Sequence, residues 1–416
     1  MDDPIPLLHD HLIGAARRLP DKIALVCQRK RLSYGELDEQ SNALAHTLVR
    51  SGIQPGDRVA IVANASAEVA MAFWAILKAN AVAAVMHGAA AGAELAAKLE
   101  DCGAKAMIVD GHASSPSHLQ LGTSSRVETL IGPARLKQVL PSISSWEEAL
   151  ATGRRAHPPK RQAIDLDLAV LLYGPGPPHG IMLTHRAMMS GASSMIASLG
   201  MEEDDVVLDA PGRSVDRSLY DMVAAFRSGA RLVLVPPFIS RAQLLRTILE
   251  EHVTGLPVTP AVLSVLTDVK DPARLELTRL RFVSSSGAPV TAEALAHLRR
   301  VVPQANIYSM FGPIECTCCT YLPPEIIDRK PTSVGAAVPN LDVWLVDGDG
   351  TRLGPGQCGE LAVRGASLAA GYWEKAAETA RRLRPASQAG DLVFFSGQRF
   401  EMDEEGHLHP CRTEKP

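Results

Sequence analysis

Short continuous apolar runs alternate, over most of the chain, with longer stretches whose apolar positions recur at helical spacing. Leu7, Leu8, Leu12, Ile13 and Ala16 fall on one side of a helix over residues 7–19. Ile23 to Cys27 and Leu32 to Tyr34 flank a polar turn and read as a hairpin. Ser33, with Glu36 three residues on, forms a capping box that opens a helix from Tyr34 to Ser51. Strands at Arg58 to Ala63, Ala81 to Met86 and Ala106 to Asp110 then alternate with helices at Ala65 to Lys78 and Ala93 to Asp101. That alternation predicts a parallel, doubly wound α/β sheet.

Residues 111–165 lose the rhythm in clusters of Ser, Pro and Gly and read as loop, closing a first subdomain over 1–165. A buried strand at Leu166 to Leu172 opens a second subdomain over 166–330. Strands at Val206, Arg231, Gly255, Arg281 and Asn306 alternate there with helices at Leu219 to Ser228, Arg241 to Glu251, Pro260 to Leu266 and Thr291 to Val301. From Pro331 the texture changes to short strands, Asp342 to Val346, Gly359 to Arg364 and Leu392 to Phe395, between Gly, Pro and Asp turns. That predicts a small β subdomain over 331–410.

Composition changes little in this picture. The chain of 416 residues is 46% apolar and 21% charged, as in ordinary globular proteins, with a net charge of −4 that gives no reason to expect nucleic acid or an anionic membrane. Ala79 to Ala97 is broken by Asn80, His87 and Glu94 and predicts no membrane span. The acidic start lacks the layout of a signal peptide. Seven cysteines follow no disulfide-framework spacing, so a reducing cytoplasm is expected. Cys316-Thr317-Cys318-Cys319 lacks the spacing of a zinc site and reads as structural, with no metal expected.

The candidate chemistry centres on Gly174-Pro175-Gly176-Pro177-Pro178-His179-Gly180, where the strand ending at Leu172 empties into a turn. Such a glycine-rich turn is a usual place to hold phosphate on backbone N–H groups. Here three prolines donate no N–H, and the turn has no serine, threonine or lysine.

Several segments together resemble the N-terminal domain of the adenylate-forming superfamily, which includes acyl-CoA synthetases, nonribosomal adenylation domains and luciferases. They are Leu32-Ser33-Tyr34-Gly35-Glu36-Leu37 through Ala60, Trp74 to Ala79, Gly180 to Arg186, Ser286-Gly287-Ala288-Pro289, Phe311-Gly312-Pro313-Ile314-Glu315, Gly359 to Gly365 and Gly371-Tyr372-Trp373, in family order. The resemblance implies a chemistry in which a carboxylate is joined to ATP and the acyl group is passed to a thiol. It also implies specific departures. His179 stands where the family's loop ends in lysine, Ile314 where a threonine would touch phosphate, and Gln398 where an aspartate would hold the ribose. Cys411 to Glu414 resembles the family's interdomain hinge, so 411–416 is expected to be its remnant, with the C-terminal domain absent.

By the same resemblance, Ser286 to Pro289 with Met310, Phe311, Gly312 and Pro313 would form an adenine slot, or would be turns the fold needs. Glu315 resembles a Mg²⁺ ligand, read here as a leftover polar contact, while His179 is a candidate base and His185 is structural. Arg213, Asp216, Arg217 and Tyr220 border the acyl pocket in the family, or face solvent. The expected function is that of a degenerate homologue, not activating acids with ATP by itself but keeping an acyl or acyl-adenylate pocket. The alternatives are an active ligase completed by a separate domain, and a structural partner of a ligase or carrier protein. Expected ligands are an acyl or aryl acid derivative, free or thioester-bound, and AMP or acyl-adenylate rather than ATP with Mg²⁺.

Overall fold

The computed structural model describes residues 5–63, 65–88, 90, 92–110, 126–138, 140–151, 153, 155–210, 212, 214–236, 239–267, 277–286, 290–386 and 391–411. The chain forms two compact units that interleave in sequence: 1–189, 214–237 and 369–374 in one, and 190–213, 238–368 and 375–416 in the other.

The first unit is built on an eight-stranded sheet whose order is Gly371–Tyr372, Gly180–Thr184, Leu168–Tyr173, Val82–His87, Arg58–Ala63, Ala106–Val109, Thr129–Gly132 and Ser144–Ser145. From Leu168–Tyr173 onward all neighbours are parallel. The strand at Leu168–Tyr173 had been expected to open a second subdomain. Instead its register with Val82–His87, Ala83 opposite Val170 through Met86 opposite Tyr173, places it in the first sheet. Its side chains are apolar but for the Tyr173 hydroxyl, which suits a strand covered on both faces. The expected capping box is present: Glu36 N–H donates to Ser33 Oγ, and Ser33 N–H donates to the Glu36 carboxylate. Residues 111–165, expected to be loop, carry two further strands and the helix Trp146–Ala151 where they are described. These short elements have too few residues to show a period.

The core of this unit joins Met86, Leu95, Leu99, Met107, Val109, Leu171 and Tyr173, so the helix Gly92–Cys102 packs its apolar face on the sheet. The hairpin Ile23–Cys27 and Lys30–Ser33 is antiparallel as expected, and Arg231–Leu234 lies parallel to its first strand. The helix expected from Leu219 begins earlier, at Val215.

The second unit carries the parallel strands Val206–Asp209, Gly255–Val258, Phe282–Ser286 and Asn306–Phe311, continued by antiparallel Thr320–Leu322 and Ala336–Ala337. The small β region is an antiparallel sheet of Leu341–Val346, Cys358–Gly365, Leu392–Met402 and Leu383–Pro385, with Leu408–Pro410 on the long strand. The strand expected to end at Phe395 runs on through Gly397 to Met402. One cysteine expectation is corrected here. Cys358 and Cys411, 53 positions apart, are disulfide-bonded with Cα atoms 6.2 Å apart, while Cys27, Cys102, Cys316, Cys318 and Cys319 are in no disulfide. Sequence spacing hides the pair because each cysteine lies at the edge of a different strand.

Among the described residues no helix is long and apolar enough to cross a membrane. None of their His, Cys, Asp and Glu side chains gather in threes where a metal ion could be held.

Candidate functional site

The turn 174–179 closes an antiparallel hairpin whose last pair is Tyr173 opposite Gly180. Gly176 sits at φ +94°, a backbone region that favours glycine. Gly180 is required for a different reason: a Cβ there would lie 2.7 Å from the Tyr173 hydroxyl and 3.2 Å from Trp373 Cβ. Close packing against Tyr173 and Trp373 therefore favours a glycine at this position, which resembles the end of a phosphate loop. The ring of His179 meets Tyr372 edge to face, with centroids 5.6 Å apart.

The helix Gly92–Cys102 supplies what the turn lacks. Glu94, Lys98 and Asp101 stand at i, i+4 and i+7, one face of a helix, and all three reach the hairpin. Lys98 is 1% exposed, and its ammonium donates to the Gly174 carbonyl at 2.8 Å and to the Glu94 carboxylate at 2.5 Å. The N–H of Gly176 donates to the same Glu94 carboxylate, and the hydrogen bond from Lys98 is the largest influence holding Glu94 below the usual carboxylate range. Further down, the Tyr173 hydroxyl donates to Asp101 Oδ2 at 2.6 Å, and Trp373 Nε1 donates to the Asp101 carbonyl at 3.1 Å. Burial pushes the Tyr173 phenol well above its usual range, with Asp101 adding to it. The Arg58 guanidinium lies over the Trp373 ring, 5.3 Å from its centroid. Sequence reading missed this polar stripe; its spacing of four and then three was the signal.

In the second unit, Ser286 pairs in register with Met310 at the ends of adjacent parallel strands. Gly287, Ala288 and Pro289 lie outside the described residues, as does Arg213. Phe311, expected to stack on a base, packs against Phe400 with ring centroids 5.1 Å apart. A Cβ on Gly312 would come within 2.6 Å of the Thr317 carbonyl oxygen and 2.8 Å of Cys319 N, so the fold itself needs this glycine. Cys319 N–H donates to the Phe311 carbonyl and Cys316 N–H to that of Pro313, which curls the segment 311–319 tightly. Pro313, Ile314 and Glu315 are half-buried along that curl. Cys316 and Cys319 join the apolar core, and burial pushes the Cys316 thiol far up, away from reactive thiolate. Gln398 is exposed, with its N–H on Ser396 Oγ at 3.1 Å. The preceding Gly397 N–H donates to Glu360 at 2.7 Å.

Asp216, Arg217 and Tyr220 do not face solvent: they are 5%, 7% and 1% exposed on the helix Val215–Ser228. The solvated-face reading fails there because that face of the helix is turned into the fold. His185 is buried and accepts the Leu8 N–H on Nδ1, a structural role.

Residues 13–373 match the family described as AMP-binding enzyme. Over 412 residues the chain is 24% identical to a linear gramicidin synthase polypeptide of Brevibacillus parabrevis, covering 96% of this chain and 8% of that protein. It is 28% identical to the malpinin synthetase of Mortierella alpina, covering 96% of this chain and 5% of that protein. The chain thus spans only a small part of these two long relatives. An L-proline–[L-prolyl-carrier protein] ligase of Streptomyces coelicolor is 28% identical, with 91% of this chain and 72% of that protein covered. Among solved structures, VinN superposes with a TM-score of 0.85 at 24% identity, covering 99% of this chain and 100% of that one. The N-terminal domain of FACL13 from Mycobacterium tuberculosis gives 0.86 at 24% identity, covering 98% and 100%. Motifs, fold and family match agree over most of its length: the chain belongs to the AMP-binding enzymes, the adenylate-forming superfamily.

Proposed function

We propose that this chain binds an acyl or aryl acid derivative, free, adenylated or thioester-bound, and does not by itself drive ATP-dependent acid activation. The observation that carries this reading is the turn 174–179, which has no hydroxyl side chain and no lysine and in which Pro175, Pro177 and Pro178 lack N–H donors. A carboxylate attacking a phosphate needs its repulsion offset by cations and preorganised donors. Residues 174–179 do not fit that need for a triphosphate, and Ile314 and Gln398 point the same way. Glu315 is the remaining candidate for a Mg²⁺ ligand, and a single carboxylate is a sparse donor set for that ion.

ATP–pyrophosphate exchange with a panel of carboxylic and amino acids tests the reading. Background exchange is expected, and robust exchange with any one acid would overturn it.

A second reading is an active acid-activating ligase. It is favoured by a relative that is a carrier-protein ligase and by a structural neighbour, VinN, solved in complex with L-aspartate. Thermal stabilisation separates the two, since only a ligand of the native state raises stability. A shift with ATP and Mg²⁺ supports the ligase. A shift with AMP or acyl thioesters alone supports the first reading.

A further inference from the structure

We infer that Glu94 is the anion this turn holds, so that the chain's own carboxylate keeps phosphate off it. The idea rests on the proposed function above and gives it a specific residue. A phosphate seated on a glycine-rich turn takes two things: a backbone N–H at a residue of positive φ, and a cation. Both exist here. The N–H is that of Gly176, at φ +94°, and the cation is the buried ammonium of Lys98, which arrives from the helix Gly92–Cys102 rather than from the turn. Both are already engaged by one group, the Glu94 carboxylate, while Lys98 also holds the Gly174 carbonyl at 2.8 Å. The two residues stand one helical turn apart, the spacing at which such a pair is preorganised. Glu94 itself is 42% exposed along its side chain, so it sits at the mouth of the arrangement, with Lys98 behind it at 1%. A phosphate approaching from solvent meets a carboxylate first.

Removing Glu94 therefore exposes a seat that the remaining residues complete. Charge-assisted hydrogen bonds of this kind are worth enough to change affinity about tenfold or more when a competing internal acceptor is removed. The experiment is calorimetric titration of the full chain with inorganic pyrophosphate at fixed ionic strength, for the wild type, Glu94→Gln, Glu94→Ala and Glu94→Ala/Lys98→Met. The expected result is tighter binding in both single variants and a return to the wild-type value in the double variant. Glu94→Gln keeps the shape of the side chain and carries the test if Glu94→Ala melts early. Binding in Glu94→Gln within twofold of the wild type, or a gain that survives loss of Lys98, would overturn the inference. Failure of the functional reading looks different: the wild type itself would then exchange pyrophosphate into ATP, whatever the ratio between variants.

Discussion

The Nδ1 atom of His185 accepts the backbone N–H of Leu8 at 3.2 Å, a bond that only an unprotonated nitrogen can make. His185 is 2% exposed, and its ring meets that of His9 edge to face at 6.0 Å. Burial pulls His185 from 6.5 to about 4 and His11 likewise to about 4, and it holds His9 well below its ordinary value. Unfolded, these groups bind protons near pH 6.5; folded, His185 and His11 do so only near 4, and His9 only well below its ordinary value. The unfolded chain thus gains protons first as pH falls. Their contribution is complete above pH 6.5, is lost progressively between 6.5 and 4, and is gone below. The loss is on the order of 3 kcal/mol for each of His185 and His11. Urea midpoints between pH 7.5 and 4 should fall along that window. His185→Leu should be less stable at pH 7 but show a shallower decline, and an unchanged slope would refute the assignment.

What the sequence shows and hides divides along physical lines. The capping box of Ser33 and Glu36, the helix it opens, and the parallel strands from Arg58 onward are local, and their periodicity announces them. The alternation of strands and helices, joined to ordered motifs, was enough for the fold. The hairpin Leu168–Tyr173 with Gly180–Thr184 was visible as two extended runs, yet its membership of the first sheet depends on pairing with a strand 87 positions earlier. The candidate site is less legible. The turn's prolines and His179 can be read directly, but the charges that complete it, Glu94 and Lys98, come from a helix in which they resemble any salt-bridged surface pair. Only the Gly174 carbonyl, 76 positions from Lys98, gives that pair its meaning.

Gly335 offers a backbone test. At φ +89° it would place a Cβ well inside contact distance of the Tyr321 carbonyl oxygen, so both conformation and space exclude a side chain. Its carbonyl also accepts the Leu408 N–H at 2.8 Å. Gly335→Ala should cost about 3 kcal/mol or more, combining left-handed strain with overpacking. Gly348, whose Cβ would meet nothing within 4 Å, serves as the control and should tolerate alanine nearly unchanged. Equal melting temperatures for the two variants would show that the approach at Gly335 is not as tight as described.

Asp205 anchors a loop of the second unit. Its side chain is 1% exposed and accepts from Thr254 Oγ1 at 2.6 Å, Arg281 Nη1 at 2.7 Å and the Glu202 N–H at 2.8 Å. Asp205→Ala leaves these donors without their acceptor and should cost about 2–4 kcal/mol. Arg281 is 41% exposed along its side chain, so water replaces much of what it loses, and Arg281→Ala should cost less. Chemical denaturation of the two variants and their double mutant checks the order. A larger loss for Arg281→Ala would reverse the argument.

The disulfide between Cys358 and Cys411 makes the last prediction. It closes a 53-residue span from the start of one strand to the residue after the last strand of the same antiparallel sheet. A cross-link of that length restricts the unfolded chain and is worth about 4 kcal/mol on the loop-entropy account. Cys358 is exposed and Cys411 half-buried, so a soluble reductant can reach the bond, whereas Cys102, Cys316, Cys318 and Cys319 are buried. Air-oxidised chain unfolded in denaturant should titrate five thiols, and reduced chain all seven cysteines. Reduction should lower the melting temperature of the wild type and leave Cys411→Ser unmoved. Seven thiols in the oxidised chain, or an equal response of the variant to reductant, would show that the bond does not form.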